Sequence, residues 1–473
     1  RQKLAGGEKY GNSASQAVPG SAPRMEIAKE RDRRMMTDEE PSPHVNPGNT
    51  EDYDRIYENP FLNSMSNPLS TFSIDVDTAS YSNTRRYIES NQLPPADAVR
   101  IEELVNYFPY DYAAPKDNKP FAVHTDLSVC PWQPRHKLLR IGIKGKPVLT
   151  ENLPANNLVF LLDVSGSMGA PNKLPLLKRS LKLLVDRMRP QDHTSIVVYA
   201  GAAGVVLPPT SGERKDDIIA ALDKLESGGS TAGGAGLALA YQMAQKHFKA
   251  NGNNRIILAT DGDFNVGPSS DSELTRMVED KRKAGVFLTV LGFGMGNYKD
   301  NKMEKLADKG NGNYAYIDNL MEARKVLVTE VGGTLLTLAK DVKLQLEFNP
   351  SRVASYRLIG YENRMLRTED FDDDTKDAGE LGAGTTVTAL YEIVPGDARA
   401  QATPLKYQSS QTRPQSTDSD ELLTVKLRYK APREDKSQLI SRSVPDKAQA
   451  WENVSQDFRF AAAVANFGMQ LRD

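Results

Sequence analysis

The chain has 473 residues, with 60 Lys plus Arg against 62 Asp plus Glu and a formal net charge of −2. That balance gives no basic face for nucleic acid, no apolar run approaches the ~18 residues that span a bilayer, and the single cysteine, Cys130, excludes an internal disulfide. A lone thiol suits a reducing compartment and a disulfide-free envelope protein equally.

Residues 1–52 include "GGEKYGNSASQAVPGSAP" and carry no apolar period. They are expected to form a disordered tether, because they cannot bury enough surface to offset their ordering entropy. The first residue is Arg1, so any export signal or lipid anchor would lie upstream. Residues 53–150 read as an N-terminal helical and β segment. "DTASYSNTRRYIESNQL", capped by Asp77 or Thr78, and "AVRIEELVNYF" read as helices, "PFAVHTDLSV" and "HKLLRIGIKG" as strands. Over 156–330 strands and helices alternate, with strands at 158–163, 194–200, 255–261, 286–293 and 313–317. Helices are expected at 173–188, 214–226, 233–249, 271–284, 300–309 and 319–330. The runs "LVFLLD", "RIILATD" and "VFLTVLGF" are almost wholly apolar, as strands buried on both faces should be. The fold class is therefore α/β, a doubly wound, mostly parallel sheet with helices on both faces.

After residue 335 the period changes to two: "VKLQLEF", "TVTALYEIV" and "LTVKLRY" alternate apolar and polar residues. Residues 335–473 are expected to be β-rich and to end in a helix, "DFRFAAAVANFGMQLRD", with a polar loop at Lys406–Glu421. Because both flanks of the α/β unit are β-rich, strands from 121–145 are expected to pair with strands from 340–430. The α/β unit would then be inserted in one sandwich.

The chemistry gathers at strand ends, where open parallel sheets bind their ligands. "LVFLLDVSGSMGAPNK" drives a buried strand to Asp163 and then places Ser165 and Ser167 at alternate positions. "RIILATDG" ends at Asp261, and between these strands "SGGSTAGGAG" sets Thr231 among Gly228, Gly229, Gly233 and Gly234. Asp163, Ser165, Ser167, Thr231 and Asp261 together offer two carboxylates and three hydroxyls. Such a low-charge oxygen set suits Mg²⁺, with Mn²⁺ or Ca²⁺ as alternatives, and leaves a position for an outside carboxylate. Asp263, Gly229 and Ser230 are candidates for supporting roles just behind the ligands, Asp263 by orienting a metal-bound water. On its own D-x-S-x-S also fits a loop that caps a helix.

"DVSGSM", "GGSTAGGAGL" and "ATDGDFNVG" resemble the metal-ion-dependent adhesion site, or MIDAS, of von Willebrand factor type A domains. The likeness covers about residues 156–330. It implies a doubly wound α/β fold and the same five ligand positions, some of them acting through water. "NPFLNSMSNPLSTFSIDVDTASYSNTRRYIESNQLPPADAVRIEELVNYF", "DVKLQLEFNPSRVASYRLIGYENR" and "FAAAVANFGMQLRD" resemble the YfbK-like bacterial proteins. That resemblance implies a cell-envelope location, lipid-anchored or exported, and a natural chain that continues past Asp473.

Other features carry less. Asp75 and Asp77 could form a second cation site, but Asp77 is expected to cap the following helix with Asp75 facing solvent or a neighbouring loop, and "EDFDDDTKD" (369–377) reads as a solvated acidic loop without Ca²⁺-loop spacing. His124, His136, His193 and His247 show no metal-ligand spacing, and the serines lack a nucleophile elbow. In "GFGMGNYKDN", Gly292, Gly294 and Gly296 are expected to let a loop pass close to the metal face. The expected function is a non-enzymatic, cation-dependent module that captures a Glu or Asp of a protein partner. A structural envelope scaffold with a structural metal is the alternative, and a metal-assisted hydrolase fits least, for want of an adjacent general base.

Overall fold

The computed structural model describes residues 51–473, except 75–76, 118, 149–152, 232, 263–270, 297, 331–335, 377, 397–418 and 433. In the N-terminal flank β1 (Leu69–Ser73) is followed by α1 (Ala79–Glu89), α2 (Ile101–Asn106), β2 (Phe121–Val129) and β3 (Lys137–Gly145). The last two form a hairpin, from Phe121 opposite Gly145 to Val129 opposite Lys137. Thr78 is the N-cap of α1 and makes no side-chain cap bond. Asp77, expected as a cap, bonds to other elements instead. Its carboxylate accepts Tyr314 N–H at 2.7 Å and faces Arg364 at 3.4 Å.

The middle of the chain supplies β4 (Asn156–Asp163), α3 (Leu174–Arg187), β5 (His193–Tyr199), β6 (Ala203–Ser211), α4 (Lys215–Asp223) and α5 (Gly233–Lys246). It continues with β7 (Asn253–Thr260), α6 (Asp271–Lys283), β8 (Val286–Phe293), α7 (Asp300–Lys309), β9 (Tyr314–Ile317) and α8 (Leu320–Arg324). Every residue of β4 and β7 is buried, which is why their sequences run apolar instead of alternating. Among the described residues the sheet order is β9-β8-β7-β4-β5-β6, all parallel but for β6, which runs antiparallel to β5. Leu158, Phe160 and Leu162 pack on one face under Leu177 and Leu181 of α3; Val159 and Leu161 pack on the other against Leu237 and Tyr241 of α5. The sheet is thus doubly wound. The sequence reading lacks β6, because Pro208 and Pro209 and the exposed Val205 and Val206 break every strand pattern. An edge strand tolerates all four.

The C-terminal flank adds β10 (Thr337–Phe348), β11 (Val353–Ile359), β12 (Thr386–Pro395), β13 (Glu421–Lys430), β14 (Ser437–Pro445) and α9 (Gln456–Arg472). Its strands interleave with those of the other flank. One sheet has the order Leu62–Asn63, β11, β12, β3, β2, and the other Met365–Leu366, β1, β10, β13, β14. β12 lies antiparallel to β3 from Thr386 opposite Lys144 to Ile393 opposite Lys137, and β10 takes β1 and β13 on its two sides. Both flanks therefore build one sandwich around Phe72, Ile141, Leu346, Phe348, Tyr356 and Tyr391, and the α/β layer is inserted in it. Phe348 and Tyr356 stack across the two sheets with centroids 3.7 Å apart. Leu346 is fully buried at this centre. Leu346→Ala is expected to cost about 2–5 kcal/mol in urea unfolding, since the closed sandwich cannot collapse around the lost atoms.

Ion pairs fasten the inserted layer to its flanks. Arg85 of α1 holds Asp318 at 2.6 Å and Glu322 of α8 at 2.9 Å. Arg100 binds Asp300 and Glu304 of α7, and Arg364 holds Asp308 at 2.6 Å. The acidic stretch is exposed over much of its described residues 369–376, as a solvated loop should be, but it is tied to the sandwich. Lys343 donates to the carbonyls of Asp370 and Asp373, while Arg428 pairs with Asp372 at 2.9 Å. The polar loop at 406–418, the tether up to residue 50, and Asp75 lie outside the described residues. Glu51 and Asp52, placed in the tether by composition, are docked. Asp52 N–H donates to Tyr298 O at 3.1 Å, and Glu51 binds Arg86 at 2.7 Å.

Candidate metal centre at the carboxyl ends of the central strands

β4 and β7 are neighbours at the middle of the sheet, so their last residues and the turns after them emerge side by side. Asp163 and Asp261 are both fully buried there. Asp163 is held at both carboxylate oxygens. Its Oδ1 accepts Ser165 N–H at 2.9 Å, and its Oδ2 accepts the hydroxyls of Tyr199 and Thr260, each at 3.2 Å. Ser165 is buried, Ser167 is exposed, and their hydroxyls lie 3.1 Å apart. The buried Met168 anchors the turn that carries them, and Ser165, at the N-cap of that short turn, makes no side-chain cap bond to it.

The Thr231 loop is tied to this turn by backbone hydrogen bonds. Gly228 N–H donates to Val164 O at 2.8 Å and Gly166 N–H to Gly229 O at 3.0 Å. Gly229 has φ +82°, a left-handed conformation that favours glycine, and a Cβ there would sit 3.3 Å from Gly201 N in the turn between β5 and β6. Thr231 is half-buried at the mouth of α5. The structure thus brings the turn of Asp163, Ser165 and Ser167, the loop of Gly229, Ser230 and Thr231, and the strand end of Asp261 to one end of the sheet. Asp263 lies outside the described residues.

The charges point the same way. Burial pushes the Asp163 carboxyl up to about 6, with the nearby Asp261 charge adding to the rise and the Ser165 hydrogen bonds opposing it. Two buried carboxylates beside neutral hydroxyls form a set that a cation would relieve. No group of three or more His, Cys, Asp or Glu suited to a metal occurs among the described residues. A cation here would therefore rest on the two carboxylates and on hydroxyls, a donor set that fits a hard divalent ion retaining its own waters.

Three neighbours of the site have no signal in the sequence. Lys173 Nζ donates to Asp261 Oδ2 at 2.9 Å, and its stem lies across Gly294 in the β8–α7 loop. Tyr199 and Thr260 also escape the motif. Only their register beside Asp163, at the ends of β5 and β7, shows their role.

Comparison with known proteins shows the family. Three family signatures cover the chain: von Willebrand factor at 47–140, von Willebrand factor type A domain at 157–329, and the C-terminal region of the uncharacterized protein YfbK at 333–473. YfbK of Escherichia coli K12, an uncharacterized protein, is 47% identical over 436 residues, spanning 90% of this chain and 75% of that one. The chain belongs to the YfbK family. The uncharacterized protein sll0103 of Synechocystis is 31% identical over 186 residues, covering 39% of this chain and 43% of its own. A von Willebrand factor type A structure from Catenulispora acidiphila aligns over 73% of this chain and 76% of its own, with 17% identity and a TM-score of 0.42. Type A domains are interaction modules, and those with a MIDAS bind divalent metal. In this YfbK-family chain the five motif positions fall within that domain.

Proposed function

We propose that this chain is a non-enzymatic, divalent-cation-dependent protein-binding module, with Asp163, Ser165, Ser167, Thr231 and Asp261 holding Mg²⁺. The observation that carries this reading is the convergence of two fully buried carboxylates with serine hydroxyls at the ends of neighbouring central strands. When bound, the cation supplies a hard positive centre for one outside carboxylate oxygen. The chain's own residues do the rest. Tyr199 and Thr260 fix Asp163, the glycine-bonded loops set the hydroxyls, and the exposed Ser167 marks the open side toward which a partner's Glu or Asp would approach.

Capture of the partner from native extract tests this. Binding is expected in Mg²⁺ and lost in EDTA; equal recovery in both would contradict it. A scaffold role has one observation in its favour, the buried ion pairs that weld α7 and α8 to the flanks. It differs in expecting Asp163→Ala to leave partner binding intact. We also place the chain in the bacterial cell envelope, which fractionation of the native protein tests. No described helix is long and apolar enough to cross a membrane.

A further inference from the structure

Lys173 stands between the serine turn and α3, and its side chain folds back over the strand ends. Its Nζ meets Asp261 Oδ2 at 2.9 Å, with the lysine side chain 9% exposed and the aspartate fully buried. The path is built for it. Gly294 has φ +80°, and a Cβ there would lie 2.7 Å from Lys173 Cγ and 2.9 Å from its Cδ. Glycine at 294 thus serves two ends, a left-handed turn and room for the lysine stem.

A lysine ammonium against one of two candidate ligand carboxylates changes the charge of the whole set. The hydroxyls are neutral, so two carboxylates and one ammonium leave a single negative charge. A divalent ion entering such a set is repelled by the ammonium and retains one uncompensated positive charge. Near a protein surface that repulsion is several-fold stronger than in water.

Resting on the metal-site reading above, we propose that Lys173 sets the cation affinity of this site: it neutralises Asp261, so that the ion binds weakly alone and tightly once a carboxylate from outside completes the charge. The site then couples metal and partner, each raising the affinity for the other by the same factor. A lysine that merely props up Asp261 would act in the opposite direction, and its loss would weaken cation binding.

Mn²⁺ titration of the full chain, followed by the EPR signal of the free ion, separates these. Lys173→Met is expected to bind Mn²⁺ about tenfold or more tighter than wild type. Lys173→Arg, which keeps the charge, is expected to stay near the wild-type affinity. Acetate, the simplest carboxylate probe, is expected to strengthen Mn²⁺ binding in wild type and to do so less in Lys173→Met. Should Lys173→Met fail to fold, Lys173→Gln gives the same comparison. Asp163→Ala is the control for the site itself. If it loses Mn²⁺ while Lys173→Met binds no tighter than wild type, the role of Lys173 is overturned and the metal site stands. If Asp163→Ala binds as wild type does, or wild type and Lys173→Met both bind nothing, the metal reading falls and this proposal with it.

Discussion

Asp163→Ala is expected to abolish the rise in melting temperature that Mg²⁺ or Mn²⁺ gives the wild-type chain. A cation that binds only the folded state adds about 2.7 kcal/mol of stability at a hundredfold excess over its dissociation constant, and that whole increment depends on the ligands. Of the proposed ligands Asp163 has the least substitute, since the Thr231 and Ser167 hydroxyls carry no charge and Asp261 already faces Lys173. In EDTA the same substitution should matter far less. It removes bonds from Ser165, Tyr199 and Thr260, but it also relieves a carboxylate whose burial beside Asp261 raises its proton affinity. Thermal melts of both proteins, with and without cation, check this. A full cation shift in Asp163→Ala would contradict the proposed ligand set.

Arg100→Met is expected to destabilise the fold by about 3–5 kcal/mol, the cost of stranding buried charges. The guanidinium reaches Asp300, Glu304 at 2.8 Å and Glu103 at 3.4 Å, and all four side chains are almost completely buried. Methionine would fill the volume and leave three carboxylates without that cation. Arg214→Ala, which breaks an exposed pair with Asp217, is the comparison and should stay within ~0.5 kcal/mol. The same cluster has a pH signature. Burial pushes the Glu103 carboxyl up to about 8; the charges of Glu304, Glu102 and Asp300 add to the rise, and Arg100 opposes it. The folded value lies above the unfolded one, so the contribution of Glu103 is complete below the ordinary glutamate value and is lost as pH rises through about 8. Urea unfolding between pH 5 and 9 should show stability declining over that window and flattening in Glu103→Gln, which can still accept Ser80 N–H as the carboxylate does at 2.8 Å.

These two results would test different parts of what the sequence makes legible. The central strands are readable because β4, β7 and β8 are buried on both faces, and burial on both faces writes itself as an unbroken apolar run. The sandwich strands β10 and β13 are readable through alternation, for they have one core face. β14 is not readable. Its burial alternates with nothing, and most of "SQLISRSVP" is exposed on a sheet edge. β1, five residues of "LSTFS", is too brief and polar to stand out from the loops around it, and pairing with β10 makes it a strand; β11, seven residues of "VASYRLI", lacks a clean alternation and is recognised by its pairing with β12. Asp163, Ser165, Ser167, Thr231 and Asp261 can be named from local spacing because each sits at an element end. Lys173 cannot, since its partner Asp261 is 88 residues away and its stem is accommodated by Gly294 in yet another loop. Nor does composition show that Glu51 is held by Arg86, Tyr87 and the Gly296 N–H, contacts that keep its carboxyl down at about 2 despite burial.

The most direct test of the metal centre is an anomalous difference map from a crystal soaked in Mn²⁺. The expected result is one strong peak within coordination distance of Asp163, Ser165 and Ser167, with Thr231 and Asp261 reached directly or through water. A map without density there, from crystals in which those side chains are ordered, would contradict it.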